Sequence, residues 1–188
     1  IMQLKALQSQ VNPHFLYNTL TAMRAMAYEN NLPSIAKIAT FMAELFRYSI
    51  KGDSYVLLDE EIEIVKKYME IMNIRMDNKF DVELSIPETI SQSYMVKMIL
   101  QPIVENAVFH GLGVKHGKGH LKISARYIDE TKYCIEVIDD GIGMTDDEVK
   151  ILNDLVNNMN LDGEQTESRS IGLINIARKI KLLVGEQY

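Results

Sequence analysis

From Leu4 to Met76 the apolar positions recur at spacings of three and four, the period of a helix with one buried face. Leu4, Leu7 and Val11 set one seam, and helical composition without glycine continues through Ala27. Asn30, Asn31 and Pro33 interrupt it. Pro33 then suits the first turn of a second helix, whose Ile35, Ile38, Met42 and Leu45 form a stripe that ends before Gly52. The two helices are expected to fold back as an antiparallel hairpin. Asp59, followed by Glu60 and Glu61, is placed to cap a third helix and to match its positive end, with Ile62, Val65, Met69, Met72 and Met76 as its core face.

After Asp77 and Asn78 the period changes. Phe80, Val82, Leu84 and Ile86 alternate with Asp81, Glu83 and Ser85, as in a half-buried strand, and a boundary here gives regions 1–78 and 79–188. Residues 93–110 read as a helix leading into a glycine-rich turn. Leu121, Ile123, Ala125 and Tyr127 alternate again, and Tyr133, Ile135 and Val137 follow after a short polar turn, so these two strands are expected to pair as a hairpin. Thr145 with Glu148 is a capping box for a short helix, and residues 171–184 carry a last one. The fold class is α+β: an antiparallel helical region, then a layer of antiparallel strands against a layer of helices.

Composition narrows the function. The 188 residues are 47% hydrophobic and 24% charged, enough for a good core. A net charge of -6 argues against nucleic acid as a partner, so any nucleotide must be held by a local site. The single cysteine, Cys134, lies in an alternating apolar run, which excludes a disulfide framework and favours a buried, inert thiol. No apolar run reaches the roughly 18 residues of a membrane span. The chain opens in mid-pattern at Ile1, which points to a piece of something longer.

Four stretches carry the chemistry: VNPHFLYNTL (11–20), LQPIVENAVFHGL (100–112), VIDDGIGM (137–144) and SIGLINIARKI (170–180). The Asn106 amide oxygen is a hard neutral ligand suited to Mg²⁺, although Glu105 and Asn106 by themselves also fit a polar helix face. Asp139 can accept a hydrogen bond from an exocyclic base amine, and Gly141 and Gly143 let backbone approach a flat ring, although Asp-Gly is equally a turn dipeptide. Gly172, Leu173 and Asn175 open the last helix, where free N–H groups favour phosphate. Together and in this order the four stretches resemble the sensor histidine kinases of the LytS type, across essentially the whole chain.

That resemblance implies a helical dimerisation and phosphoacceptor region at 1–78 and, at 79–188, an α/β-sandwich ATP-binding domain of the Bergerat (GHKL) fold, with an antiparallel or mixed sheet and helices on one face. It makes His14 the phosphoacceptor, Asn106 the Mg²⁺ ligand, and Asp139, Gly141 and Gly143 the adenine box, with Glu105 and His110 beside the nucleotide. Ser170, Gly172, Leu173 and Asn175 become the phosphate box, Ser170 standing where the family pattern has glycine, and residues 144–169 become a polar, mobile lid. ATP and Mg²⁺ are the implied cofactors. A homodimer, a response regulator and a removed membrane-anchored sensor region are the implied context, which places the chain on the cytoplasmic side. Strands completing the sheet are expected beyond Tyr188.

The residues at His14 fit this role and one departs from it. A free imidazole is a competent nucleophile near neutral pH. Pro13 weakens the helical ladder at Ser9, and a bend there would expose His14. Many histidine kinases place an acidic residue after the histidine, whereas this chain has Phe15; Asn18, one turn on, is the nearest polar helper. Two other classes stay open. A related ATPase would use water, but Pro102 stands where those enzymes carry an acidic base; a nonenzymatic scaffold would explain Ser170 and the missing acid. His110, His116 and His120 match no zinc spacing and no P-loop is present, so the glycine-rich stretch reads as a turn. Arg178, Lys179 and Lys181 read as a solvated face.

Overall fold

The computed structural model describes residues 13–50, 52–157 and 171–185. Helices α1 (Pro13–Glu29) and α2 (Pro33–Ile50) form the expected hairpin. Asn31 makes the turn in the left-handed region, at φ 55°, while the Asn30 amide donates to the Met26 carbonyl at 2.8 Å. The face that α2 buries is only in part the expected stripe: Ile38 and Leu45 are half-buried, Leu45 against the core. Ala36, Ala39, Phe41 and Ala43 are buried, whereas Ile35 and Met42 are 45% and 47% exposed. Alanine lets helix backbones approach closely, so the small residues face inward. The described part of α1 begins at Pro13. The expected bend at Ser9 falls outside the described residues.

Strand β1 (Tyr55–Leu57) leads directly into helix α3 (Leu58–Arg75). The helix starts one residue before Asp59, and its end is closed by the Glu60 carboxylate, which accepts the Leu57 N–H at 3.2 Å. Asp59, Glu60 and Glu61 thus occupy the first turn, where they suit the dipole, with Asp59 inside the helix instead of capping it. Ile62, Val65, Met69 and Met72 are buried as expected.

Beyond α3, strand β2 (Phe80–Ser85) is followed by the short helix α4 (Glu88–Ser91) and strand β3 (Tyr94–Val96). The helix expected over 93–110 therefore starts later, as α5 (Leu100–Asn106), and continues as a π-helical turn over Ala107–Leu112. Strands β1 and β3, each three residues long, pair antiparallel with Tyr55 opposite Val96. Neither is long enough to show an alternation.

Strands β4 (Gly119–Tyr127) and β5 (Tyr133–Asp139) form the expected antiparallel hairpin, with Leu121 opposite Asp139. β2 lies on the other side of β4 and runs parallel to it, so the described sheet is mixed, not antiparallel throughout. A parallel pair needs a crossover between its strands, and α4, β3 and α5 supply it. Helices α6 (Asp146–Asn157) and α7 (Ile171–Val184) complete the described fold.

One core runs through the α+β body. Leu58, Ile62, Val65, Tyr68, Met69 and Met72 of α3 pack with Phe80, Leu100, Val104, Val108, Leu112, Leu121 and Ile123, so it is continuous across Asn78. Cys134 is half-buried on β5, less enclosed than expected. The basic run of α7 is also tied down and not simply solvated: the Lys179 ammonium donates to the Lys97 carbonyl at 2.5 Å and that of Lys181 to the Val156 carbonyl at 3.0 Å. Burial lowers the Lys179 pKa.

Candidate nucleotide site

Asn106, His110 and Asp139 come from two elements and line one cavity of about 370 Å³, with Ala107, Gly111, Gly143, Met144, Glu148, Ile151, Leu152 and Leu173. Helix α5 delivers Asn106 at its last residue, and the π turn that follows carries His110 and Gly111 along the same wall. Strand β5 ends at Asp139 on the facing wall. The volume falls within the range of small-molecule sites.

Glycine is required where the two walls meet. A Cβ on Gly111 would sit 2.4 Å from Asp139 Oδ1, and one on Gly141 would sit 2.4 Å from the backbone of Gly111. The Gly141 N–H donates to Asp139 Oδ1 at 2.9 Å, fixing the carboxylate at the cavity edge. Gly143 has φ 69°, in the left-handed region. Asp140 turns elsewhere: its Oδ1 accepts the His120 N–H at 2.8 Å and its Oδ2 meets the Lys115 ammonium at 2.6 Å. Those two donors hold the Asp140 carboxyl below its ordinary value, the His120 backbone contributing most.

Not every expected residue reaches the cavity. Glu105 accepts a hydrogen bond from the Gln101 amide at 2.8 Å and lies off the lining. Gly172 and Asn175 are exposed at the start of α7, which contributes only Leu173. Ser170 and residues 158–170 of the expected lid lie outside the described residues. The described part of that lid is less polar than expected, since α6 turns Ile151 and Leu152 to the cavity beside Glu148. Their apolar pair was visible in the sequence, and the capping box had placed the helix. Gly111 was also there, in VFHGL, but nothing local revealed that its missing Cβ makes room for Asp139.

His14 lies at the exposed start of α1, and the Asn18 amide nitrogen is 3.3 Å from its Nδ1 and 3.5 Å from its Nε2. His120 sits 3.7 Å from an Asp81 oxygen, and among the described residues no three His, Cys, Asp or Glu side chains gather as a metal cluster. Mg²⁺ needs none, because it takes one or two protein oxygens and fills its shell with water and phosphate. The donor set of the cavity, the Asn106 amide and the His110 imidazole with the Asp139 and Glu148 carboxylates, fits a magnesium nucleotide.

Comparison with known proteins agrees with this geometry. A histidine kinase family profile matches residues 2–80, and that of the histidine kinase-, DNA gyrase B-, and HSP90-like ATPases matches residues 92–187. Sensor histidine kinase YesM of Bacillus subtilis is 36% identical over 99% of this chain and 30% of its own length. Two sensor histidine kinases of Escherichia coli are also similar: BtsS at 34% over 76% of this chain and 25% of its own, and YpdA at 32% over 98% and 31%. This chain therefore spans about a third or less of those relatives. With an ATP-binding profile over its second half, and with Asn106 and Asp139 brought to one cavity there, the chain belongs to the histidine kinases of the histidine kinase-, DNA gyrase B-, and HSP90-like ATPase family.

Proposed function

We propose that the chain is the kinase core of a two-component sensor histidine kinase, which binds MgATP in the α5–β5–α6 cavity, phosphorylates itself on His14 and passes the phosphoryl group to an aspartate of a response regulator. The observation that carries this reading is the convergence of Asn106 and Asp139 on one cavity whose lining includes the glycines Gly111 and Gly143.

Asp139 accepts the adenine amine, and Gly111 and Gly141 let the two walls close so that its carboxylate is held at the cavity edge. Asn106 presents its amide oxygen as the protein ligand for Mg²⁺, which when bound shields the phosphate charge. His14 is the acceptor. A ring-nitrogen lone pair forms the N–P bond, the bond from the γ-phosphorus to the bridging oxygen breaks, and ADP leaves with that electron pair, the proton on the other ring nitrogen passing to solvent. Glu105, His110, Gly141, Gly143, Ser170, Gly172, Leu173 and Asn175 complete the nucleotide-binding set in this reading.

A homodimer through α1 and α2 is part of the proposal. Its support is the apolar surface of that hairpin, where Phe15 is 68% and Met26 62% exposed. Among the described residues no helix is long and apolar enough to cross a membrane. Anchoring of the whole protein through an N-terminal sensor region, with this core in the cytoplasm, is accordingly a proposal drawn from the relatives.

The test is incubation with γ-labelled ATP and Mg²⁺. Acid-labile, alkali-stable label is expected in the unaltered protein and absent from His14→Gln and Asn106→Ala, with ATP binding kept in His14→Gln. Label that persists in His14→Gln overturns the assignment of the acceptor, and ATP binding without label overturns the kinase reading.

A further inference from the structure

Glu61 on α3 has no exposed surface, yet it carries a carboxylate. A buried charge is tolerated only when fully paired. Four donors meet it. Its Oε1 accepts the Met98 N–H at 2.7 Å and the Tyr48 hydroxyl at 2.5 Å, and its Oε2 accepts the N–H groups of Ile99 at 3.1 Å and Leu100 at 3.0 Å. Met98 is held at φ 57°, so three consecutive N–H groups curl around one anion, the geometry of a backbone nest. The anion in this nest is an internal side chain.

The nest is the amino end of α5, whose far end is Asn106 and whose continuation carries His110 and Gly111. Glu61 therefore sets where that cavity wall begins. Tyr48 brings α2 of the hairpin to the same carboxylate, and the Lys97 ammonium lies 4.2 Å from the centre of its ring. Burial, then the Glu61 hydrogen bond, raises the Tyr48 pKa far above its usual value, so the phenol stays a donor. From the other side α7, which brings Leu173 to the cavity, reaches the residue just before the nest through Lys179 and the Lys97 carbonyl. The hairpin, α5 and α7 meet within one hydrogen-bonded cluster.

We propose that Glu61 is a positioning residue for the nucleotide site and that the Tyr48 hydroxyl makes its placement depend on helix α2, so that the state of the hairpin sets ATP affinity. This rests on reading the cavity as the ATP site. A carboxylate is needed because the amide of glutamine offers one acceptor oxygen and turns donors toward the remaining N–H groups.

The experiment compares ATP affinity, measured by titration well below the melting temperature, in the whole chain and in Tyr48→Phe and Glu61→Gln, together with the rate of His14 labelling at saturating MgATP. Neither side chain lines the cavity. Tyr48→Phe is expected to weaken ATP about fivefold, the lower end of ordinary coupling between sites, and to leave the saturated labelling rate within about twofold. Glu61→Gln is expected to weaken it further. A merely structural defect would do the opposite, lowering total label through the folded fraction while the folded molecules keep their affinity. Unchanged affinity in Tyr48→Phe overturns the dependence on α2, and unchanged affinity in folded Glu61→Gln overturns the positioning role. If Glu61→Gln does not fold, Tyr48→Phe decides. If the unaltered protein binds ATP but takes no label, the kinase reading fails while the affinities still decide this one; no ATP binding at all overturns both.

Discussion

Replacing Gly111 by alanine tests the cavity at its narrowest contact. The added Cβ would stand 2.4 Å from Asp139 Oδ1 and 3.1 Å from its Cγ, against a floor near 3.0 Å for such atoms. Overpacking of this kind costs roughly 1–3 kcal/mol, and the lower end applies because a short carboxylate can swing aside. The swing is what damages function. It breaks the 2.9 Å bond from Gly141 and removes the acceptor proposed for the adenine amine. A hydrogen bond to a charged group contributes about 1.5–3 kcal/mol, and each 1.4 kcal/mol is tenfold, so ATP affinity should fall by about 10- to 100-fold. Calorimetric titration with ATP, alongside a melting curve, reads both quantities. Gly117→Ala is the control: it lies off the cavity lining, its Cβ would meet nothing within 4 Å, and at φ 83° it costs stability by strain of about 1–2 kcal/mol while affinity changes less. ATP bound by Gly111→Ala within about twofold of the unaltered protein would refute the argument that Asp139 reads the base.

Three further outcomes are expected. Asn73 exchanges two 2.8 Å hydrogen bonds with the backbone of Phe80, so Asn73→Ala should lower stability by about 1–3 kcal/mol in urea unfolding. Thr145→Ala removes the hydroxyl that accepts the Glu148 N–H at 3.3 Å and donates to its carboxylate at 3.0 Å; with no residue of α6 buried, a loss of about 1 kcal/mol should appear as faster hydrogen exchange at Val149. The depressed pKa of Asp140 means that the folded chain binds fewer protons there than the unfolded one. Its contribution is present above the ordinary carboxylate pKa of about 3.8 and is lost as pH falls through the lower folded value. The urea midpoints of Asp140→Asn and the unaltered protein should therefore differ at pH 7 and converge in acid.

The sequence revealed elements wherever a pattern outlasted a few residues. The α1–α2 hairpin, the core face of α3 and the β4–β5 hairpin all repeat their period long enough to be recognised. β1 and β3 do not, because three residues contain too little alternation to separate from loop. The buried face of α2 misled for a different reason: hydrophobicity ranks Ile35 and Met42 above Ala36 and Ala39, but close helix packing selects for small size. In the site, Asn106 and Asp139 were found through their chemistry and order. Gly111 and Glu61 were not, since one acts by lacking an atom and the other was taken only as a match to a helix dipole. Both depend on contacts between segments distant in the chain, which no local window contains.

The continuity of the core across Asn78 bears on how this protein can be taken apart. A fragment starting at Lys79 would contain every described strand except β1, yet it would leave Leu100, Val104 and Leu121 facing the space that α3 fills. It would also strip the partner strand from Tyr94–Val96 and the carboxylate from the nest at Met98. Such a piece should be insoluble or molten when expressed. The unit that keeps this core intact begins ahead of Phe41, because that residue of α2 packs in the same cluster and Tyr48 reaches Glu61, which assigns the third helix and much of the second by allegiance to the nucleotide-binding body.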